Sequence, residues 1–519
     1  MLGRQPRRSQ LMLAASMLTN LAGCSSNCNV TEVCVSFVQG FPQLTLLPNN
    51  TGYSSINEGM LLLSERRTRW TLTLQSGYFS AEEWLGPACI FTPNSPQRMA
   101  TAVQILAQSG VQFAVRGGGW MPIPGAANID SNGILLATTN LTGLQLADDR
   151  KSISVASGHN WADIYNYLSP EGLAVVGSRI GVVGVPGFML GGGMSLGNQY
   201  GWASGNVVGY EAVLSSGSIV YATATNEYSD LFWALRGGGN NFAIVTRFDL
   251  KTYEIEKVAV GNVAYGSGQR NSFLADLYDF SRNGVQNQRA FVLPTISYVP
   301  AAGPNITYSA TLFYNDNNET SPSALQQFLP PQVIPKTSTF ATRTLANWSA
   351  EADQGFDQVH GQNFRFHGFT MLSNLDALYT AHDAFFQLAQ ERGPAIKGFI
   401  STLAMNPTSR SFIETNRGAD PAGDPMGIDS DAGPYFMCEQ TFSWSLKNDT
   451  GAIETLIADI NSEMSAKLGD KLVPFLCLNN AGNGQDVFNT YNAANLQRLK
   501  TKYDTEGVYT SLLVGGFKL

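Results

Sequence analysis

Apolar positions at helix and strand spacing alternate along the first half of the chain. Ser95-Pro96 opens one predicted helix: Ser suits the cap and Pro the first turn, while Met99, Ala102, Val103 and Leu106 share a face and Gly110 ends it. Val111, Phe113 and Val115 then alternate as a strand, followed at once by Arg116-Gly117-Gly118-Gly119-Trp120. Further strands are predicted at Ile134 to Leu136, Ser152 to Ala156, Ala174 to Val176 and Ala243 to Phe248. Helices are predicted over Trp161 to Leu168, with Asn160 as cap, and from Asp230 toward Arg236-Gly237-Gly238-Gly239. A glycine-rich tract runs between them, from Gly177 to Gly209. Asp148-Asp149-Arg150 reads as a turn between strands. In the second half, alternation at Ala290 to Val299 and Thr307 to Phe313 suits a sheet. The order is α+β rather than a strict βαβ repeat.

Composition narrows the picture. A chain of 519 residues exceeds the usual size of one compact domain, so two or more are expected. Charged residues are only 14%, against roughly 25% in an average soluble protein. The net charge of −8 leaves no basic stripe to displace counterions, which argues against a nucleic-acid partner. Four histidines (His159, His360, His367 and His382) leave little room for a His-based metal centre, and none is expected. His360 and His367, near Arg365, read as part of a solvated helix or loop. No run of 18 apolar residues follows the N-terminus, so no membrane span is expected there.

The N-terminus resembles a secretory address, with a disordered tail as the alternative. Arg4, Arg7 and Arg8 precede an apolar run from Leu11 to Ala22, and Ala22-Gly23 offers small residues for cleavage, giving a signal peptide over 1–23. Acceptor triplets for N-glycans begin at Asn29, Asn49, Asn140, Asn305, Asn318, Asn347 and Asn448. So many favour a eukaryotic secretory route over the bacterial lipoprotein site that Leu21-Ala22-Gly23-Cys24 also resembles. Cys34 and Cys89 read either as a disulfide, stabilising by about 4 kcal/mol in the chain-entropy picture, or as buried thiols. Cys438 and Cys477 sit in apolar, strand-like segments and read as core residues.

Three Gly-Gly-Gly runs occur, at 117–119, 191–193 and 237–239. Glycine lets backbone amides approach a ligand closely, and a dinucleotide is the natural candidate; tight turns are the alternative. A Rossmann site needs strand, glycine loop and helix, but Pro122 and Pro124 forbid an immediate helix after the first run. A Walker loop is excluded because no Gly-Lys-Ser/Thr follows any run.

Taken together, several segments resemble the FAD-linked oxidoreductases of the vanillyl-alcohol-oxidase superfamily, in particular the berberine-bridge-enzyme-like branch of fungal secondary metabolism. They are Cys89 to Pro96, Arg116 to Gly119 with Gly125-Ala126, Gly177 to Gly181, Gly184 to Gly187, Leu190 to Ser195, Asn206 to Val208, Asp230 to Thr246, and the closing stretch from Gln485 to Leu519. The resemblance implies an α+β fold: a two-part FAD-binding domain of the PCMH type over 35–257, with a return at 471–519. A substrate domain over 258–470 would supply an antiparallel sheet backed by helices. It implies FAD contacts from Arg116, Gly117, Gly118, Gly119, Trp120, Gly125, Ala126, Gly181, Gly184, Gly187, Gly191, Gly192, Ser195, Val207, Val208, Ile244, Val245 and Asn495.

Departures from the family pattern carry as much information. The family's attachment histidine is replaced by Trp120, and the cysteine of its second covalent link by Ile180, so the resemblance implies FAD held without a covalent bond. Asn479-Asn480 stands where relatives often carry Asn-Tyr, the segment after Arg498-Leu499 is shorter, and Leu61 to Gly77 reads as an insertion. Hydride transfer to flavin needs a substrate C–H over the ring and a base for the departing proton. Tyr314, Glu439 and Asn480 are the candidates. The expected activity is oxidation of a small natural-product intermediate, with molecular oxygen as the second partner. The alternatives are a flavin-containing cyclase without net oxidation and a flavin-free binding protein.

Overall fold

The computed structural model describes residues 29–58, 77–195, 197–283, 286–316, 322–355, 361–418 and 423–519. The signal-like segment, Cys24, Cys28, residues 61–76 of the expected insertion, Asn318 and His360 lie outside the described residues.

The N-terminal half forms as its local signals direct. The Ser95 hydroxyl accepts from the Arg98 amide to cap the helix Pro96–Ser109, and Gly110 ends it at φ 68°. Asn160 and Asp163 close a reciprocal capping box on Trp161–Leu168. The strands Cys89–Phe91 and Phe113–Arg116 flank Ile134–Ala137 in parallel, and Thr45–Leu46 adds an antiparallel edge. A second, antiparallel sheet runs in the order Leu144–Leu146, Ser152–Ala156, Ile244–Lys251, Val207–Val213, Ile219–Ala222. Its first hairpin turns through Asp148 to Arg150, as expected. A disulfide joins Cys34 to Cys89. The strand expected over Ala174 to Val176 is instead Leu173–Ala174, where pairing to Tyr253–Glu254 stops.

The second half builds a nine-stranded antiparallel sheet. Ala290–Tyr298 and Ile306–Tyr314 pair where alternation predicted strands. Tyr435–Trp444 lies between Ile400–Thr408 and Asn363–Leu372. His367 and Arg365 therefore sit in a strand, not in a solvated helix or loop. Burial pushes the His367 imidazole down to about 4, and Arg365 is buried against Glu82 and Glu454. Helices Arg270–Arg282, Leu375–Arg392 and Thr450–Leu468 cover one face of the sheet, packing Leu277, Phe385 and Ile460 on Leu403, Cys438 and Phe442. Each large apolar side chain buried there is worth about 1.5–3 kcal/mol. Cys477 is buried as expected, but it leads into a short 3-10 turn rather than lying in a strand.

Candidate functional site

Because a strand's side chains alternate, the residues between those packed on helices point the other way. Asn262, Thr295, Thr311, Thr402, Glu439 and Thr441 form the floor of a cavity of about 760 Å³. Its roof comes from the glycine loops of the N-terminal half.

The roof packs backbone on backbone. A Cβ on Gly118 would lie 2.5 Å from the Gly184 nitrogen, and one on Gly184 would lie 2.4 Å from the Gly118 nitrogen. Only glycine fits at both. Gly187 behaves differently: it lines the cavity, and a Cβ there would meet nothing within 4 Å. The Asn479 side chain braces this roof, donating to the Gly187 carbonyl at 3.0 Å and accepting from the Gly193 amide at 3.0 Å. Gly516 and Phe517 complete the wall, and Asn241 donates to the Phe517 carbonyl at 3.1 Å.

A short segment, Tyr78 to Glu83, straps roof to floor. The Phe79 amide donates to the Gly119 carbonyl at 3.0 Å, and the Phe364 amide donates to the Ser80 hydroxyl at 3.0 Å. The Phe79 ring stacks on Trp120 at 4.4 Å and on Phe364 at 4.1 Å. Arg116 lies over the Tyr78 ring at 4.4 Å. The Glu83 carboxyl is fully buried beneath the loop, accepts from the Ala127 amide, and is pushed up to about 8 by that burial.

On the floor, Glu439 is the ionisable group facing the cavity from the middle of the sheet. Thr441 donates to its Oε1 at 2.9 Å and the Asn480 amide donates to its Oε2. Burial raises the Glu439 carboxyl above the usual range, against the opposing pull of Arg179 and the Thr441 hydrogen bond. A carboxylate raised in this way is a stronger proton acceptor than an exposed one.

The predicted site residues divide. Gly117, Gly118, Gly119, Trp120, Ala126, Gly184, Gly187, Gly191, Ile244 and Val245 line the cavity, as do Ile180, Glu439 and Asn480. Others do not reach it. Arg116 is turned to Tyr78 beneath the loop. Gly125 packs its carbonyl against Gly515, Gly181 lies against Asp353, and Gly192 against Met426. The Ser195 hydroxyl donates to the Gly177 carbonyl at 2.6 Å. Val207 and Val208 belong to an inner strand of the five-stranded sheet. Asn495 accepts from Arg498 at 2.8 Å on its own helix. Tyr314 corrects the expectation of a base: it packs in the helix-side core and accepts from Asn287 at 3.2 Å. Sequence reasoning missed Phe79, Arg179, Phe366, Thr402, Asn406 and Thr441 as lining residues; strand parity was the signal for the last four.

An FAD binding domain model matches residues 87–223. The chain is 32% identical to the FAD-dependent monooxygenase prx3 of Penicillium roqueforti over 506 residues, covering 94% of this chain and 93% of the relative. The chain belongs to the FAD-linked oxidoreductases of the vanillyl-alcohol-oxidase superfamily. A second relative, the bifunctional solanapyrone synthase of Alternaria solani, is 30% identical across 86% of this chain and 84% of its own. The fold matches glucooligosaccharide oxidase from Acremonium strictum with a TM-score of 0.69 at 18% identity, over 94% of this chain and 98% of that one; that protein carries a 6-S-cysteinyl, 8α-N1-histidyl FAD. The residues present fit FAD. Gly187 leaves backbone open for a cofactor to approach, the glycine loop at 117–119 lines the same cavity, and Trp120 and Ile180 both reach it. Among the described residues no helix is long and apolar enough to cross a membrane.

Proposed function

We propose that this FAD-linked oxidoreductase oxidises a small natural-product molecule, with Glu439 as the base and FAD held without a covalent link. The observation that carries the reading is the Glu439 carboxyl, gripped by Thr441 and Asn480 and facing the cavity. Bound FAD supplies the hydride acceptor, and molecular oxygen restores it. Glu439 takes the substrate proton at an oxygen whose position Asn480 and Thr441 fix. The floor and the aromatic stack hold the reacting carbon and exclude water. Trp120 offers an apolar face where an attachment histidine would stand, and its indole forms no such bond.

Acid precipitation tests the cofactor claim: flavin absorbance should leave with the supernatant, and colour retained by the polypeptide would contradict it. Oxygen uptake matched to substrate consumed tests the oxidase claim. A cyclase reading draws support from the bifunctional synthase among the relatives; product without oxygen uptake would favour it. We also propose passage through a secretory pathway. Asn29, Asn49, Asn140, Asn305, Asn347 and Asn448 are all exposed, as glycan acceptors must be. Mature protein beginning near Cys24 and losing mass on deglycosylation is expected.

A further inference from the structure

Among the described residues, three buried polar atoms on the cavity wall have no hydrogen-bond partner: Asn406 Oδ1, Ser443 Oγ and Trp348 Nε1. Asn406 is 3% exposed and Ser443 2%. Dry, unpaired polar atoms are costly and call for an explanation, of which a missing ligand is the simplest. Their neighbours on the floor differ. Thr311 donates to Asn262, Ser309 to the Thr295 carbonyl, and Thr402 pairs with Ser297. Thr441 and Asn480 both donate to Glu439. A floor that looks rich in hydroxyls has therefore turned most of them inward.

One end of the wall is apolar and flat-sided. Trp120, Phe79 and Phe364 form a continuous stack, with Phe366 tilted beside it and Ile400 and Leu293 on the floor. Ring faces of this kind suit a planar partner. An oligosaccharide carries a hydroxyl on nearly every carbon, each needing a partner once dry. The floor hydroxyls, already paired within the protein, offer it few.

Asn406 is the open group nearest the chemistry. Strand pairing sets Ala404 opposite Glu439 and Asn406 opposite Met437. Asn406 is thus a diagonal neighbour of Glu439 on the same face, about 7–8 Å away. Building on the oxidase reading above, we propose that the substrate is a mainly apolar, ring-bearing molecule whose hydroxyl donates to Asn406 Oδ1, making Asn406 a specificity-determining residue. Ser443 stands at the aromatic end of the same floor, opposite Ile400 and Phe364, and offers a second, weaker polar contact.

Titration calorimetry on the holoenzyme tests this with 2-naphthol, its near-isostere 2-methylnaphthalene, and cellobiose, the flavin spectrum being recorded on the same sample. The wild type should bind 2-naphthol about tenfold tighter than 2-methylnaphthalene, the worth of one ordinary hydrogen bond. In Asn406→Leu the two should bind within about twofold, whereas Asn406→Asp, which keeps an acceptor, should retain the preference. Equal affinities in the wild type, a preference that survives in Asn406→Leu, or cellobiose binding tighter than 2-naphthol would each overturn the proposal. The wild-type comparison stands even if a variant fails to fold. A sample without flavin bands would overturn the oxidase reading instead, and the binding ratio would still decide the substrate class.

Discussion

In the roof of the cavity backbone packs on backbone, as at Gly118 and Gly184; in the floor, side chains project from a sheet whose strands have fixed parity. The two surfaces tolerate change differently. At Gly118 and Gly184 the roof admits one residue type, because a single Cβ has nowhere to go. A floor position admits any side chain that fits, so its chemistry is free to vary with the substrate. The roof should be common ground among relatives that share the cofactor, and the floor should be where this enzyme differs from them.

The largest effect should come from the floor. Glu439→Gln keeps the shape and the hydrogen bond to Asn480 but cannot take a proton, so kcat should fall roughly 10²–10⁴-fold with flavin content unchanged. Because burial holds the Glu439 pKa above the usual carboxylate range, activity in the wild type should rise with pH through that raised value. Removing the nearby cation in Arg179→Met should move this acid limb further up, since Arg179 now pulls it down. An unchanged limb would separate Glu439 from the proton transfer.

The roof's counterpart is Glu83. Its folded pKa, about 8, lies above its ordinary value of 4.5. The folded state therefore holds an extra proton between those values, and that contribution is fully present below about pH 4.5 and lost as pH rises through 8. Glu83→Gln should match the wild type near pH 5 and exceed it near pH 8.5, by roughly 3–5 kcal/mol at the limit of full linkage. Chemical denaturation at the two pH values measures the difference, and parallel stability curves would show that the carboxyl is not protonated in the fold.

Gly118→Ala probes the contact between loops directly. With backbone 2.5 Å from the added carbon, the loop must shift. Overpacking of this kind costs about 1–3 kcal/mol. The loss should appear in melting temperature and in flavin content together, whereas the same change at Gly187, where space is open, should alter flavin content alone.

Roof and floor also differed in how well the sequence foretold them. Glycine triplets and capping residues are local signals, so the loop at 117–119 and the helix Pro96–Ser109 could be read before any fold was known. Yet proximity in a motif did not mean contact: Arg116 and Gly125 belong to the loop and face away from the cavity, because side-chain direction within a loop depends on packing partners such as Tyr78 and Gly515. On the floor, Glu439 and Asn480 were legible as residue types only. Their union depends on a sheet register and a returning chain 41 residues later, which no local pattern encodes. His367 departs from expectation for the same reason: in its strand the imidazole meets Gln485 rather than water.

The smallest effect tests the joint between roof and floor. Trp120 stacks on Phe79, which in turn stacks on Phe364, so one aromatic column ties the glycine loop to the sheet. Trp120→Ala removes the top of the column. Each aromatic pair contributes roughly 0.5–1.5 kcal/mol beyond its buried area, so a modest drop in melting temperature is expected while the sheet stays intact. The same change exposes the cavity end where an attachment histidine would stand, and FAD should be lost on dialysis faster than from the wild type. Phe79→Ala separates the two contributions: it breaks the column but leaves the indole in the cavity wall. If Trp120 holds the cofactor by its own face, Phe79→Ala should keep more flavin than Trp120→Ala at equal loss of stability. If the two variants lose flavin alike, the strap rather than the indole retains it, and the roof depends on the floor for its grip.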